Sequence, residues 1–321
     1  MKAAMLFPGQ GSQYVGMGKD LVETYASARE LYQRADDELG FPLSRISFEG
    51  DAETLTATKN AQPAILLHSV AVERILAREG GASPAIVAGH SLGEYSALVA
   101  AGVVDAMDAL RIVRRRGELM FAAGVAQPGT MAAVMGMERE ALEALCREAS
   151  GGETVVVANV NCPGQLVISG HLGAVERAMK LAEERGARKV IRLNVSGAFH
   201  SPLVAPAERE LVDYIKSFQF RDAAVGVVCN ADAKVISSKA DIIDALSRQL
   251  TSPVLWADSM TALLGRWSGA VLEVGPGKVL AGLLKRIDAS RTAESVGTAA
   301  DLAKLLASRA GGAPSGAEGR E

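Results

Sequence analysis

Short unbroken apolar runs alternate along this chain with longer stretches in which apolar residues recur every three or four positions. The first pattern predicts strands buried on both faces, and the second predicts amphipathic helices. Residues 3–7 are such a run, stopped by Pro8-Gly9 and followed by a glycine-rich loop, Gly9-Gln10-Gly11-Ser12-Gln13. Residues 60–79 predict a helix with Pro63 in its first turn and Gly80-Gly81 at its end. Residues 85–88 are again wholly apolar and predict a second buried strand. The helix behind it, closed by Gly102, is apolar on nearly every side, which places it centrally. Another helix is expected over 106–122.

Residues 131–195 keep a different rhythm. Strands are expected at 131–135, 154–158, 165–169 and 189–195, and helices at 139–149 and 175–185. That is β-α-β-β-α-β, the ferredoxin-like order, and it predicts an inserted subdomain of about 70 residues. Beyond residue 200 helices are expected at 206–218, 241–250 and 279–287, with strands at 225–229 and 269–274. The fold class is therefore α/β. A large subdomain takes residues 1–125 and 198–308, and a small one takes 126–197. The tail 309–321, RAGGAPSGAEGRE, has no periodic apolar face and is expected to be disordered.

Composition narrows the function. The chain has 321 residues, 49% of them apolar, and a net charge of −3. That allows a substantial core and gives no sign of a nucleic-acid or membrane-surface binder. Cys146, Cys162 and Cys229 are far apart, without C-x-x-C spacing, so neither a zinc site nor a disulfide framework is expected. The apolar run at the N-terminus is too short for a signal-peptide core. No run approaches the roughly 18 apolar residues of a membrane span. The expectation is a cytoplasmic protein.

The chemistry starts at AGHSLGEYSALVAAG, residues 88–102. Gly89, Ser91 and Gly93 have G-x-S-x-G spacing between a predicted strand and a predicted helix, which is the setting of a nucleophile elbow. The alternative is a tight turn with a capping serine. At the helix N-terminus the Leu92 N–H is placed to bind an oxyanion. A second donor is expected from Gln10, whose loop follows the first strand of the same sheet, although a plain glycine turn reads equally well there. Four histidines compete as base. His68 lies in an apolar helix, His90 should point away from an elbow, and His171 reads as a helix cap. His200, on the NVSGAFHSPL loop, is the candidate general base. No acid with triad-like spacing stands out, and a backbone carbonyl can orient the imidazole instead.

RIVRRRGELM carries four arginines. Arg114 lies four residues before Glu118 and can pair with it on the wet face. Arg116 projects from the apolar stripe, where an unpaired guanidinium is very costly. Either a protein carboxylate or a bound anion must satisfy it, and its planar fork suits a substrate carboxylate.

FPGQGSQ, GHSLGEYSAL, the Arg116-Gly117 pair, NCPGQLVISG, GAFHSPL, QL-x-x-PV and EVGPGKVL occur in this order between about residues 3 and 287. With them the chain resembles the bacterial malonyl-CoA:acyl carrier protein transacylases. The resemblance implies an α/β-hydrolase-like large subdomain with an inserted ferredoxin-like small one. It implies a malonyl ester on Ser91, His200 as base, Gln10 and Leu92 as oxyanion donors, and Arg116 on the malonyl carboxylate. It further implies that the backbone carbonyl of Gln249 steadies the histidine. The bulk of Phe199 would favour malonyl over methylmalonyl. Malonyl-CoA and an acyl carrier protein are the implied partners of a monomeric enzyme that needs no metal or redox cofactor. Arg111, Arg114, Arg115 and Lys189 are candidates for a basic patch facing an acidic carrier protein, although each also reads as an ordinary solvated charge. Two other readings share parts of the pattern. A serine esterase or thioesterase would need no carboxylate clamp and would want a side-chain acid behind the histidine. A silent carrier-binding module would not need Ser91, His200 and Arg116 together.

Overall fold

The computed structural model describes residues 1–310. Six strands make the larger sheet: β1 (Lys2–Phe7), β2 (Ser83–Gly89), β7 (Gly226–Val228), β8 (Val235–Ile236), β9 (Val271–Val274) and β10 (Ala293–Val296). Their order is β10-β9-β1-β2-β7-β8, parallel throughout except for β8. The smaller sheet holds β3 (Gly129–Met135), β4 (Val155–Cys162), β5 (Gln165–His171) and β6 (Lys189–Arg192), antiparallel in the order β4-β5-β3-β6.

β1 is apolar from Ala3 to Phe7 because both its faces are covered there. Met5 and Phe7 pack toward the helices Thr58–Arg78 and Ala106–Ala126, while Ala4 and Leu6 pack with Trp256 and Leu280 on the other side. The smaller sheet divides in the same way. Ala132 and Val134 face the helices Arg139–Ala149 and Leu172–Glu184, and Met131 and Ala133 join the core of the larger sheet.

Register sets the site. Phe7 lies opposite Gly89, so the loops leaving β1 and β2 start side by side at the carboxyl ends of their strands. A Cβ on Gly9 would sit 2.3 Å from the His90 carbonyl oxygen, a contact that only glycine permits.

Several elements differ from the sequence expectation. The first long helix begins at Thr58, so Pro63 falls beyond the first turn. A proline there cannot bond the carbonyl of Lys59, and Arg114 Nη1 donates to that carbonyl instead at 3.0 Å. The strand expected over 189–195 ends at Arg192, because residues 193–195 leave the sheet and line a cleft. His171 sits at the N-cap position of its helix without a side-chain capping bond; its Nδ1 accepts from the Thr154 N–H at 2.9 Å. Four helices between Lys19 and Thr56, the helix Trp256–Leu264 and the strand-helix end from Ala293 to Ala310 were not expected. The last helix reaches Ala310, two residues into the expected tail, and residues 311–321 lie outside the described residues.

Candidate active site

β2 ends at Gly89 and a helix starts at Gly93, leaving Ser91 on a sharp corner with φ of 50°. A non-glycine residue in the left-handed region is strained and needs support. Two glycines make the corner sterically possible: a Cβ on Gly89 would lie 1.9 Å from the Gly93 backbone, and one on Gly93 would lie 2.0 Å from the Phe7 carbonyl oxygen. Asn230, just beyond β7, braces it. Its Oδ1 accepts from the Ser91 N–H at 2.6 Å and its Nδ2 donates to the Gly89 carbonyl at 2.7 Å.

His200 also has positive φ, 56°, and is almost wholly buried. Its Nε2 lies 2.8 Å from Ser91 Oγ, and its Nδ1 lies 3.1 Å from the carbonyls of both Gln249 and Ser252. Carbonyls only accept, so Nδ1 carries the proton and Nε2 is left to accept from the serine hydroxyl. Burial, then the charge of Arg116, then His90, push the His200 pKa down to about 3. The imidazole is therefore neutral at physiological pH, the form a general base requires.

Arg116 is 1% exposed. Its Nη1 donates to Gln62 Oε1 at 2.7 Å, and its Nη2 donates to Ser91 Oγ and to Gln249 Oε1, each at 3.1 Å. Its Nε has no hydrogen-bond partner, and no carboxylate among the described residues pairs with it. Burial lowers its pKa, against the nearby Tyr95 and Glu94. A guanidinium held by neutral amides beside a hydroxyl keeps its charge available to an anion.

Gln10 and Leu92 line the same cleft, and neither backbone N–H donates to another group among the described residues. For Leu92 this is the unpaired donor of a helix start. The cleft measures about 310 Å³ and is bounded also by Met120, Met131, Phe199 and His200. It shares Gln10, Thr56, Asn194 and Val195 with a larger neighbouring cavity of about 630 Å³. Phe199 is buried at its wall.

The other histidines bond other groups, although His90, expected to point away from the elbow, lines the same cleft. His68 is fully buried with Nε2 on the Gly297 carbonyl at 2.8 Å, and His90 Nε2 lies 2.9 Å from Asn161 Oδ1. Among the candidate basic residues, Arg114 pairs with Glu118 at 2.6 Å, Arg111 with Glu38 at 3.1 Å and Arg115 with Glu210 at 3.2 Å, while Lys189 is exposed on β6. Four site residues were not anticipated: Gln62, Asn230, Glu94 and Ser252. Glu94 had a visible signal, since it is an acid in an otherwise apolar helix, the same anomaly that singled out Arg116.

An elbow serine at the strand ends of a mainly parallel sheet defines the α/β-hydrolase-like class of fold. Residues 4–306 match the acyl transferase domain family, and the chain belongs to it. It is 49% identical over 288 residues, 89% of this chain and 90% of the relative, to the malonyl CoA-acyl carrier protein transacylase of Bacillus subtilis. The crystal structure of a malonyl-CoA:acyl carrier protein transacylase from Xanthomonas oryzae matches at a TM-score of 0.92 and 44% identity, covering 95% of this chain and 98% of that one. A structure of a type II polyketide-synthase acyl-carrier protein in complex with its malonyl-transacylase matches at 0.92 and 40% identity, covering 96% of this chain and all of the other (100%).

Proposed function

We infer that this chain transfers the malonyl group from malonyl-CoA to the phosphopantetheine thiol of acyl carrier protein, supplying fatty-acid synthesis. The transfer runs through a malonyl ester on Ser91. The observation that carries this reading beyond generic serine chemistry is Arg116, a buried cation without a carboxylate partner, 3.1 Å from Ser91 Oγ. A malonyl carboxylate is the anion it lacks.

In the first half-reaction His200 Nε2 takes the Ser91 proton as Oγ attacks the thioester carbonyl. The resulting oxyanion is bound by the N–H groups of Gln10 and Leu92. The tetrahedral intermediate collapses, the C–S bond breaks, and His200 returns the proton to the departing CoA thiolate. In the second half the carrier-protein thiol gives its proton to His200 and attacks the ester. Ser91 leaves and is reprotonated. The carbonyls of Gln249 and Ser252 stabilise the transient imidazolium through Nδ1–H. Phe199 restricts room beside the acyl group and disfavours a branched one. On this reading residues 126–197 form the smaller subdomain of a monomeric cytoplasmic enzyme.

The test is intact mass after mixing with malonyl-CoA. Wild type should gain one malonyl group, Ser91→Ala none, and Arg116→Ala much less. Carrier protein should then discharge the adduct. A wild type that takes no adduct and hydrolyses simple esters would favour a serine hydrolase and remove the role given to Arg116.

A further inference from the structure

Gln249 donates its side-chain Nε2 to two acceptors, Glu94 Oε2 at 2.7 Å and the Ser91 carbonyl at 3.1 Å. Its Oε1 accepts from Arg116 Nη2 at 3.1 Å. The amide thus stands between a carboxylate, which as an ion only accepts, and a guanidinium, which only donates. The two ends of an amide have nearly the same shape, so hydrogen bonding decides which way it points. Arg116 and the Ser91 carbonyl favour the same orientation, and Glu94 makes the shortest of the three bonds that fix it, at 2.7 Å. Rotating the amide would set NH2 against the Arg116 guanidinium and oxygen against the Glu94 carboxylate.

We propose that Glu94 is a positioning residue which, by holding the Gln249 amide in one orientation, fixes the Arg116 guanidinium where it meets the substrate carboxylate. This rests on the acyl-transfer reading above. Glu94 itself is buried, 3% exposed, and does not line the cleft, so it acts through Gln249. It occupies the first turn of the helix Gly93–Ala100, where the helix dipole favours a negative charge. Burial pushes its pKa up to about 7, opposed by Gln249, the Asn230 N–H and Arg116 and reinforced by Asp232. The carboxylate is therefore ionised under mildly alkaline conditions. A buried carboxylate maintained within the network of a buried arginine, yet not paired with it directly, leaves the cation free for the substrate.

The experiment compares Ser91 acylation by malonyl-CoA and by acetyl-CoA, which has no carboxylate, in wild type, Glu94→Gln and Glu94→Asp at about pH 8. A glutamine at 94 presents both a donor and an acceptor, so it removes the strongest of the constraints that hold Gln249 in one orientation. Glu94→Gln is expected to lose about tenfold in kcat/KM with malonyl-CoA, mainly through KM, with acetyl-CoA affected less than about twofold. Glu94→Asp keeps acceptor-only chemistry and should retain most of the malonyl preference. Equal losses with both thioesters would show a structural role only and overturn the proposal, as would no loss in Glu94→Gln. If Glu94→Gln fails to fold, a Glu94→Asp variant that folds and loses activity with both thioesters alike also overturns it. Wild type reports separately: absence of a malonyl ester there overturns the acyl-transfer reading, and this inference with it, before any variant is compared.

Discussion

A serine hydroxyl becomes a nucleophile only when a neutral base stands at its proton and a charge-tolerant site stands at the carbonyl it attacks. On the acyl-transfer reading His200 meets the first condition through burial beside the Arg116 guanidinium, which keeps its imidazole neutral, and through two carbonyls that select the tautomer. The same two carbonyls take the place a side-chain acid holds in a triad. On the acyl-transfer reading Phe199 adds a further condition, on the shape of the acyl group. Phe199→Ala enlarges the wall of the cleft beside His200. Its acylation by methylmalonyl-CoA relative to malonyl-CoA should rise by about tenfold, the scale of a methyl group in an apolar pocket. Competition between the two thioesters, read by intact mass, checks this, and an unchanged ratio would remove Phe199 from the selection of substrate.

At the scale of elements, the position of Arg116, the proposed carboxylate clamp, depends on how closely two helices approach. Gly117, in the helix Ala106–Ala126, faces the start of the helix Thr58–Arg78, and a Cβ there would lie 2.8 Å from both Lys59 Cα and the Thr58 carbonyl oxygen. That approach brings Arg116 within reach of Gln62, whose Nε2 is held in turn against Met120 Sδ at 3.2 Å. An alanine in mid-helix is intrinsically favoured over glycine by roughly 0.5–1 kcal/mol. The backbone contact reverses that sign. Gly117→Ala should destabilise the fold by about 1–3 kcal/mol, the usual cost of overpacking, and weaken malonyl more than acetyl transfer. Urea unfolding measures the first effect and single-turnover acylation the second. A more stable Gly117→Ala would show that the helices can part freely.

At the scale of the whole molecule, the cleft lies between the two sheets. Gln10 and Ser91 come from the strand ends of the larger one, and Met131 and Asn159 from the smaller. Stability over pH is set by groups far from the cleft as well as near it. His68 is wholly buried, and burial pushes its pKa from 6.5 down to about 4. Between these values the unfolded chain binds a proton at this position that the native protein does not. Its contribution to stability is therefore complete above about pH 6.5 and is lost as pH falls toward 4. His68→Gln, which keeps a donor for the Gly297 carbonyl, should flatten that part of the pH dependence by about 1–3 kcal/mol. Denaturant midpoints at several pH values measure it, and a slope identical to wild type would show that His68 is not the group responsible.

The sequence by itself determined the features that are local. The strand and glycines around Ser91 specify a corner, because a continuous apolar run, a sharp turn and a buried helix are each written within a few residues. The β-α-β-β-α-β order of the smaller sheet was legible for the same reason. Arg116 stood out because a cation on an apolar stripe contradicts its surroundings. Three of the helices between residues 19 and 56 were not legible because they span only 6, 7 and 5 residues, too few for a periodic signal. Ala26–Leu39, by contrast, with Ala28, Leu31, Tyr32 and Ala35 on its buried face, carried a readable period. What only the tertiary structure decided is which distant groups meet. Ser91 and His200 are 109 positions apart and lie 2.8 Å from each other; Glu94 and Gln249 are 155 apart and share a hydrogen bond of 2.7 Å. Periodicity records which face of an element is buried, and it carries no information about the side chain waiting on the other side of the core.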